Sequence, residues 1–404
     1  MKRSALLLAG LALATAGTAN AQLTMQMSNG WSFSFSGNVN AFLTYEKVST
    51  DGQVSNGVNL VPDGANSFKQ TRIQTGLLPS FAVFDAKGKE GNTDLGVHFG
   101  FAPQINCASG VHDCFGAQID MRQVFLTVGG SWGQVLAGRE LGLFGRQNIL
   151  NDQTLFGVGG TGAGGPGTGG GTTLGRIGFG YNYPQFKAQM TYSTAAGKPG
   201  QLSIGLFEAA SNGPYFTTEI PRLEFEGTYK KGKAAAWVGG LLQSNKNGYS
   251  GTTASASSYG ASGGLKFGQK SFSIVGSGYY GKGIGTTLLF NAGTGSTLGT
   301  PGSDDLTTSY GYIGQATYTS NKITLAGSYG SSILEDSKNG ETAAGAKVKN
   351  ENTLISGGIY YQATKSLKAV FEGNYAWSKQ SNTPGGDPDK NTTFVPTFGL
   401  MLFF

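Results

Sequence analysis

The chain has 404 residues, among them 68 Gly, 25 Phe and 17 Tyr, with only 13% charged residues and a formal net charge of +6. Ordinary globular chains hold about 7% Gly and about 25% charged residues, so this composition points to many short β-strands joined by long loops. The mild basic excess gives no basis for nucleic-acid binding, and past the N-terminal stretch no run of about 18 apolar residues offers a transmembrane helix.

The chain opens on Met1-Lys2-Arg3, runs through the apolar segment from Ala5 to Ala14, and reaches Ala19-Asn20-Ala21. A short basic start, an apolar stretch and a small-residue site read as a cleaved secretory signal over residues 1–21, leaving 22–404 as the mature domain. Removing Lys2 and Arg3 leaves 27 basic residues against 23 acidic ones. Export places Cys107 and Cys114 in an oxidising compartment, where a disulfide stapling a surface loop is expected. A metal site there would need the reduced pair, with only His112 and Asp113 as neighbouring ligands.

From Trp31 onward the pattern has period two. Trp31, Phe33, Phe35, Val39, Leu43 and Tyr45 alternate with Ser32, Ser34, Ser36, Asn38 and Asn40, which is a two-sided strand. The alternation returns at Leu95 to Phe101, at Leu223 to Tyr229 opposite Arg222, Glu224, Glu226 and Lys230, and at Leu367 to Trp377 opposite Lys368 and Glu372. One face is apolar with aromatic ends; the other carries both signs of charge. Strands of about ten residues with that alternation are the mark of a barrel in a bilayer, lipid outside and water inside.

In chain order the predicted strands lie near 31–47, 68–86, 93–102, 118–130, 134–140, 174–183, 186–194, 220–230, 234–243, 258–267, 271–283, 308–319, 322–332, 351–363, 366–378 and 393–404. Short turns such as Ser131-Trp132-Gly133, Lys231-Gly232-Lys233 and Ser320-Asn321-Lys322 alternate with long polar loops, including 48–67, 102–117, 140–173 and 195–219. The fold expected is all-β, a 16-stranded antiparallel transmembrane β-barrel. Pro79 marks an irregularity in the second strand. The chain ends on Phe403-Phe404, and such an aromatic end is rare in a soluble protein.

The layout resembles the general bacterial trimeric porins of the outer membrane. Locally, Met121 to Gly130 followed by Gly133 and Gly138-Arg139 looks like that family's strand-turn-strand before its third loop, and Gly175-Arg176-Ile177-Gly178-Phe179-Gly180-Tyr181-Asn182-Tyr183-Pro184 like the strand after it. The resemblance implies a third loop folded into the barrel, with loop acids facing wall arginines. Carried over, the constriction would hold Arg122, Arg139 and Arg176 on the wall, Asp152 on the loop, and Glu140 beside them. The family's second-strand arginine has no clean match, with Phe81 nearest by local similarity and Arg72 nine residues earlier, and Leu155-Phe156-Gly157 occupies the place of a second loop carboxylate. If Arg122 faces the lumen, alternation carries Val124, Leu126 and Val128 with it, and Ile149, Leu150, Leu155 and Phe156 of the loop are expected to cover them.

The glycine tract from Gly159 to Gly171 contains a G-x-G-x-x-G match at Gly160–Gly165, but no strand precedes it directly and no helix follows, so it reads as the loop's return path and not as a nucleotide site. Two imidazoles, His98 and His112, leave little basis for Ser-His catalysis in a barrel enzyme. Sixteen strands argue against a plugged structural or adhesive barrel, because that number leaves an aqueous channel. The expected function is a cofactor-free, homotrimeric diffusion channel for small hydrophilic solutes and ions. It would contact outer-membrane lipids and lipopolysaccharide, and the arginines and net charge lean it towards anions. A substrate-specific porin would share the strand pattern.

Overall fold

The computed structural model describes residues 23–50, 60–61, 67–106, 119–162, 171–213, 215–247, 255–269, 271–292, 306–337, 347–383, 386–387 and 390–404. The predicted signal segment, Cys107 and Cys114, and Ala163 to Gly170 lie outside the described residues.

Within them, all strands join one antiparallel sheet. In chain order they are β1 (Leu23–Gln26), β2 (Ser32–Thr50), β3 (Phe68–Gln74), β4 (Phe81–Glu90), β5 (Thr93–Pro103), β6 (Ile119–Gly130), β7 (Gly133–Leu141), β8 (Phe186–Ser193), β9 (Gly200–Phe207), β10 (Tyr215–Thr217), β11 (Arg222–Lys231), β12 (Ala234–Asn247), β13 (Ser255–Gly268), β14 (Phe272–Lys282), β15 (Thr308–Ser320), β16 (Ile323–Glu335), β17 (Lys349–Gln362), β18 (Leu367–Ser381) and β19 (Asn391–Phe403). The last strand, β19, pairs with β2 and closes the sheet. β1 and β10 are short flaps, and β3 and β4 are two halves of one strand that both pair with β2. The wall is therefore a closed sixteen-stranded barrel. Closure leaves no unpaired strand edge in hydrocarbon, where each orphaned backbone group would cost several kcal/mol.

The gap between β3 and β4 is the irregularity anticipated at Pro79. Its carbonyls turn inward: Asn38 Nδ2 donates to Pro79 O and Asn40 Nδ2 to Leu78 O, both at 3.0 Å. Along the wall, Val39, Leu43, Leu126, Met190, Leu202, Ile204 and Leu400 are exposed on the outer face, while their neighbours of opposite parity are buried. That is the lipid-out pattern of a membrane barrel.

Two strand assignments change. Residues 174–183 are not a wall strand: among the described residues they form only isolated bridges, and Gly178 and Gly180 take φ of 79° and 138°, which interrupts an extended chain. The missing wall strand is β9, in the stretch 195–219 expected as a loop. There Leu202, Ile204 and Leu206 face out and pair across Gly227, Phe225 and Leu223 of β11. The two shifts compensate, so the strand number stands.

The lumen-facing parity also changes in β6. Gly100 pairs with Gln123 and Phe101 with Met121, so Arg122 is the extra residue of a β-bulge. The bulge uncouples Arg122 from Val124, Leu126 and Val128. Leu126 points outward, and the apolar run needs no loop to cover it.

Candidate pore constriction

The connection from Gly142 to Gln185 joins β7 to β8 and is the third long loop. It begins with helix α1 (Arg146–Asn151), followed by a 3-10 turn (Gln153–Phe156). Asp152 sits between them: its Oδ1 accepts from Thr154 N at 2.9 Å, ending one turn and starting the next.

Lumen-facing side chains around the wall hold this loop. At its start, Glu224 Oε2 accepts from Leu143 N at 2.7 Å and from Phe144 N at 2.9 Å. Glu224 is ion-paired with Arg222 at 2.8 Å, and the Arg222 guanidinium lies between the rings of Phe207 and Phe290. One turn on, Arg146 pairs with Glu226 at 2.6 Å, and Trp237 Nε1 donates to Asn148 Oδ1 at 2.9 Å. Gln315 then brackets the helix end, donating to Asn151 O and accepting from Gln153 N.

Further along, Glu372 of β18 receives Val158 N at 3.1 Å, Gly159 N at 2.6 Å, Tyr360 OH at 2.8 Å and Asn374 Nδ2 at 2.7 Å. A Cβ at Gly157 would lie 2.0 Å from a Glu372 oxygen, so glycine is what lets the backbone close on the carboxylate. Thr161 Oγ1 donates to Glu46 of β2. The loop thus touches β11, β12, β15, β18 and β2 in turn, which carries it across the lumen. A second loop contributes from above: Leu60 N donates to Asn352 and Val61 N to Ser378, and both pack on Phe179.

The six residues singled out from the sequence do not form one cluster: Asp152 and Arg176 meet within the loop, whereas Arg72, Arg122, Arg139 and Glu140 stand on wall strands. Arg176 is fully buried in the loop's return segment and not on a wall strand. Its guanidinium donates to Ser328 Oγ, Ser328 O at 2.7 Å and Leu354 O at 2.9 Å. Burial holds its pKa below the usual arginine range, against the opposing pull of Asp152. It is a structural clamp.

Asp152 is 5% exposed, and its Oδ2 accepts from Thr154 Oγ1, Tyr181 OH and Arg176 N. Burial pushes the Tyr181 phenol well above its usual value, and the adjacent Asp152 charge adds to the shift. The residue borders the open cavity described below, but its carboxylate oxygens are taken up by these loop partners and brace the loop from within. Replacing it by Asn, which keeps an acceptor for Thr154 N, is expected to leave reversal potentials in a salt gradient almost unchanged. Asp152→Ala, which keeps none, should broaden the single-channel conductance distribution.

Arg139 pairs with Val124 and Ala188, on the face that two residues away carries Ala137 opposite Leu126 and Met190. Those two are exposed on the outside, so Arg139 belongs to the outer surface and not to the lumen. Glu140, on the opposite parity, is buried and accepts from Gln123 Nε2 and Leu141 N. Arg122 is ion-paired with Asp120 at 2.7 Å. Arg72 lies opposite Thr44, a buried lumen residue, and so stands on the inner wall.

The open water space is bordered by Asp152 and by a set of lysines outside the predicted six. On the short-turn side of the loop lies a cavity of about 780 Å³ bordered by Lys230, Lys233, Lys266 and Lys368 together with Ala235 and Gln315. Lys266 Nζ donates to Asn151 Oδ1 at 3.0 Å, and Lys368 Nζ lies 3.8 Å from the Phe156 ring centroid. Among the described residues no carboxylate forms an ion pair with any of the four. Lys230 and Lys368 stood on the charged strand faces of the sequence. What alternation could not tell was that their acidic neighbours, Glu226 and Glu372, would be consumed by the loop.

A family model described as Gram-negative porin matches residues 5–383. Among solved structures, the outer membrane channel DcaP of Acinetobacter baumannii superposes with a TM-score of 0.66 at 15% identity, covering 94% of this chain and 99% of that one. The anion-selective porin from Comamonas acidovorans superposes at 0.60 and 14% identity, covering 93% and 100%. Outer-membrane expressed OmpT of Vibrio cholerae gives 0.59 and 14%, covering 95% and 100%. No curated protein matches the chain.

Proposed function

Because the chain belongs to the Gram-negative porin family, it is a diffusion channel of the outer membrane, and we propose that it works as a homotrimer passing small hydrophilic solutes with a preference for anions. One observation carries the preference: the lumen carboxylates Glu140, Glu224, Glu226 and Glu372 are buried and hydrogen-bonded or ion-paired, whereas four lysines border the open cavity without an acid partner among the described residues. Unpaired charge of one sign along a low-dielectric wall sets ion preference. A structural neighbour is itself an anion-selective porin.

In planar bilayers under a potassium chloride gradient, the zero-current potential is expected to report chloride permeability at least about twofold above potassium. A potential of the opposite sign would overturn the preference and leave the channel standing.

The short turns are assigned to the periplasm and the long loops to the outside, as in other barrels of this kind. The trimer contact is placed on the outer aromatic surface where Phe35 meets Phe84 at 4.9 Å and Phe404 at 5.3 Å, and Phe84 meets Phe101 at 5.9 Å. One neighbour is recorded in a trimer form. Lys47 and Lys69 lie directly opposite each other on the outer face near the long loops. Facing like charges are destabilising unless an anion joins them, and lipopolysaccharide phosphates would supply one.

The channel is read as passive. His98 is paired with Asp85 at 2.9 Å and stacked on Phe125, and its buried Nε2 has no hydrogen-bond partner, and so no nucleophilic hydroxyl, among the described residues.

A further inference from the structure

We infer that the lysine-bordered cavity on the short-turn side of the loop is a binding site for a small dianion, beyond a general preference for negative charge. The inference rests on the anion-preferring reading above and deepens it.

The placement of the lysines is the first support. Lys230 pairs with Ala235, and Ala235 pairs in turn with Lys266. The two lysines therefore stand on one inner wall with a single methyl side chain between them, roughly 10 Å apart at two inter-strand spacings. The next inner-facing position of β13 beyond Lys266 is Gly268, so the wall beside the charges is open there. Lys368 faces the same space from β18, on the other side of the loop's 3-10 turn. Cations converging on one pocket repel one another, and a monoanion can neutralise only one of them. A dianion satisfies two at once.

The second support is what fixes the lysines. Lys266 is held by Asn151 at the end of α1, and Lys368 by the face of the Phe156 ring. Both fixings come from the loop, so the ammonium groups are pre-positioned and lose less freedom on binding than free lysines would. Neither contact neutralises charge, and Asp152, which also borders the cavity, has its oxygens engaged by Thr154 and Tyr181 within the loop. The hydroxyls beside them, such as those of Thr228 and Thr317, add neutral hydrogen-bonding capacity for the rest of a solute. Because the cavity borders Gly232 and Lys233 of a short turn, it lies on the periplasmic side of the constriction.

The test uses the full chain inserted in planar bilayers at constant potassium chloride, with succinate, acetate or inorganic phosphate added to one side. Succinate should block the current saturably, at concentrations at least about tenfold below those at which acetate does, and at lower concentration from the short-turn side. Phosphate blocking as well as succinate would place both charges in one group; a stronger block by succinate would place them in two. Either outcome supports the site. Lys230→Gln with Lys266→Gln, and Lys368→Gln separately, should each shift the succinate block by about tenfold, whereas Lys266→Arg and Lys368→Arg should retain it. Lys322→Gln, at a turn away from the cavity, should leave it unaltered. Equal block by succinate and acetate, or unchanged block in the glutamine variants that still conduct, would overturn the site while the channel stands. Absence of current in chloride alone would instead remove the channel reading beneath it.

Discussion

Replacing Glu372 by Ala is expected to raise single-channel conductance and to make the current noisy. This carboxylate receives two loop N–H groups, a tyrosine hydroxyl and an asparagine amide, all within 3.1 Å. Hydrogen bonds to a charged acceptor are worth about 1.5–3 kcal/mol each, and partners left buried without one lose that and their desolvation energy as well. The loop at Val158 and Gly159 would detach from β18, widening the water path beside it. Glu372→Gln keeps an acceptor for the N–H groups and should restore most of the quiet state. Both variants should migrate like the parent on unheated gels, because the ladder of β17, β18 and β19 does not depend on this side chain. Unchanged conductance in Glu372→Ala would show that the loop holds its position without this anchor.

The second large effect is expected at Arg176. Arg176→Met removes a buried cation that satisfies Ser328 O and Leu354 O and interacts electrostatically with Asp152. Removing one member of a buried charged network costs about 3–5 kcal/mol. Here the loss falls on loop docking and not on the wall. Limited proteolysis should cut between the loop's return segment and β8 in the variant while the parent resists. The barrel's strand signal in circular dichroism should stay the same. A variant whose loop remains protected would show that the apolar contacts of Ile177 and Tyr181 suffice.

The wall was largely legible because period-two alternation is imposed by lipid on one side and water on the other, and it survives in Leu202, Ile204 and Leu206 even where a loop was expected. It failed where alternation is locally cancelled. The bulge at Arg122 shifts parity by one residue without any composition signal, and Gly175 to Pro184 imitates a strand although its glycines bend it. The constriction was less legible still. Asp152 and Arg176 are visible in the sequence as charged groups around the loop, but whether a charge faces water or braces a backbone depends on partners far away in sequence. Glu372 and Gln315 are 213 and 162 residues from the loop atoms they bind. The lysines of the cavity emerge only after those carboxylates have been withdrawn.

The same long separations dictate an order of assembly. The loop leaves β7 early in the chain, yet its supports lie on β11, β15, β18 and, across the closing seam, β2. Glu224 on β11 can take its loop partners as soon as β11 joins the wall, whereas Glu372 cannot receive Val158 and Gly159 until β18 stands beside them. Contacts of high sequence separation are slow to form, so the loop is expected to dock from its α1 end first, and a newly inserted copy would conduct as a wider, noisier channel until Glu372 captures its two backbone partners.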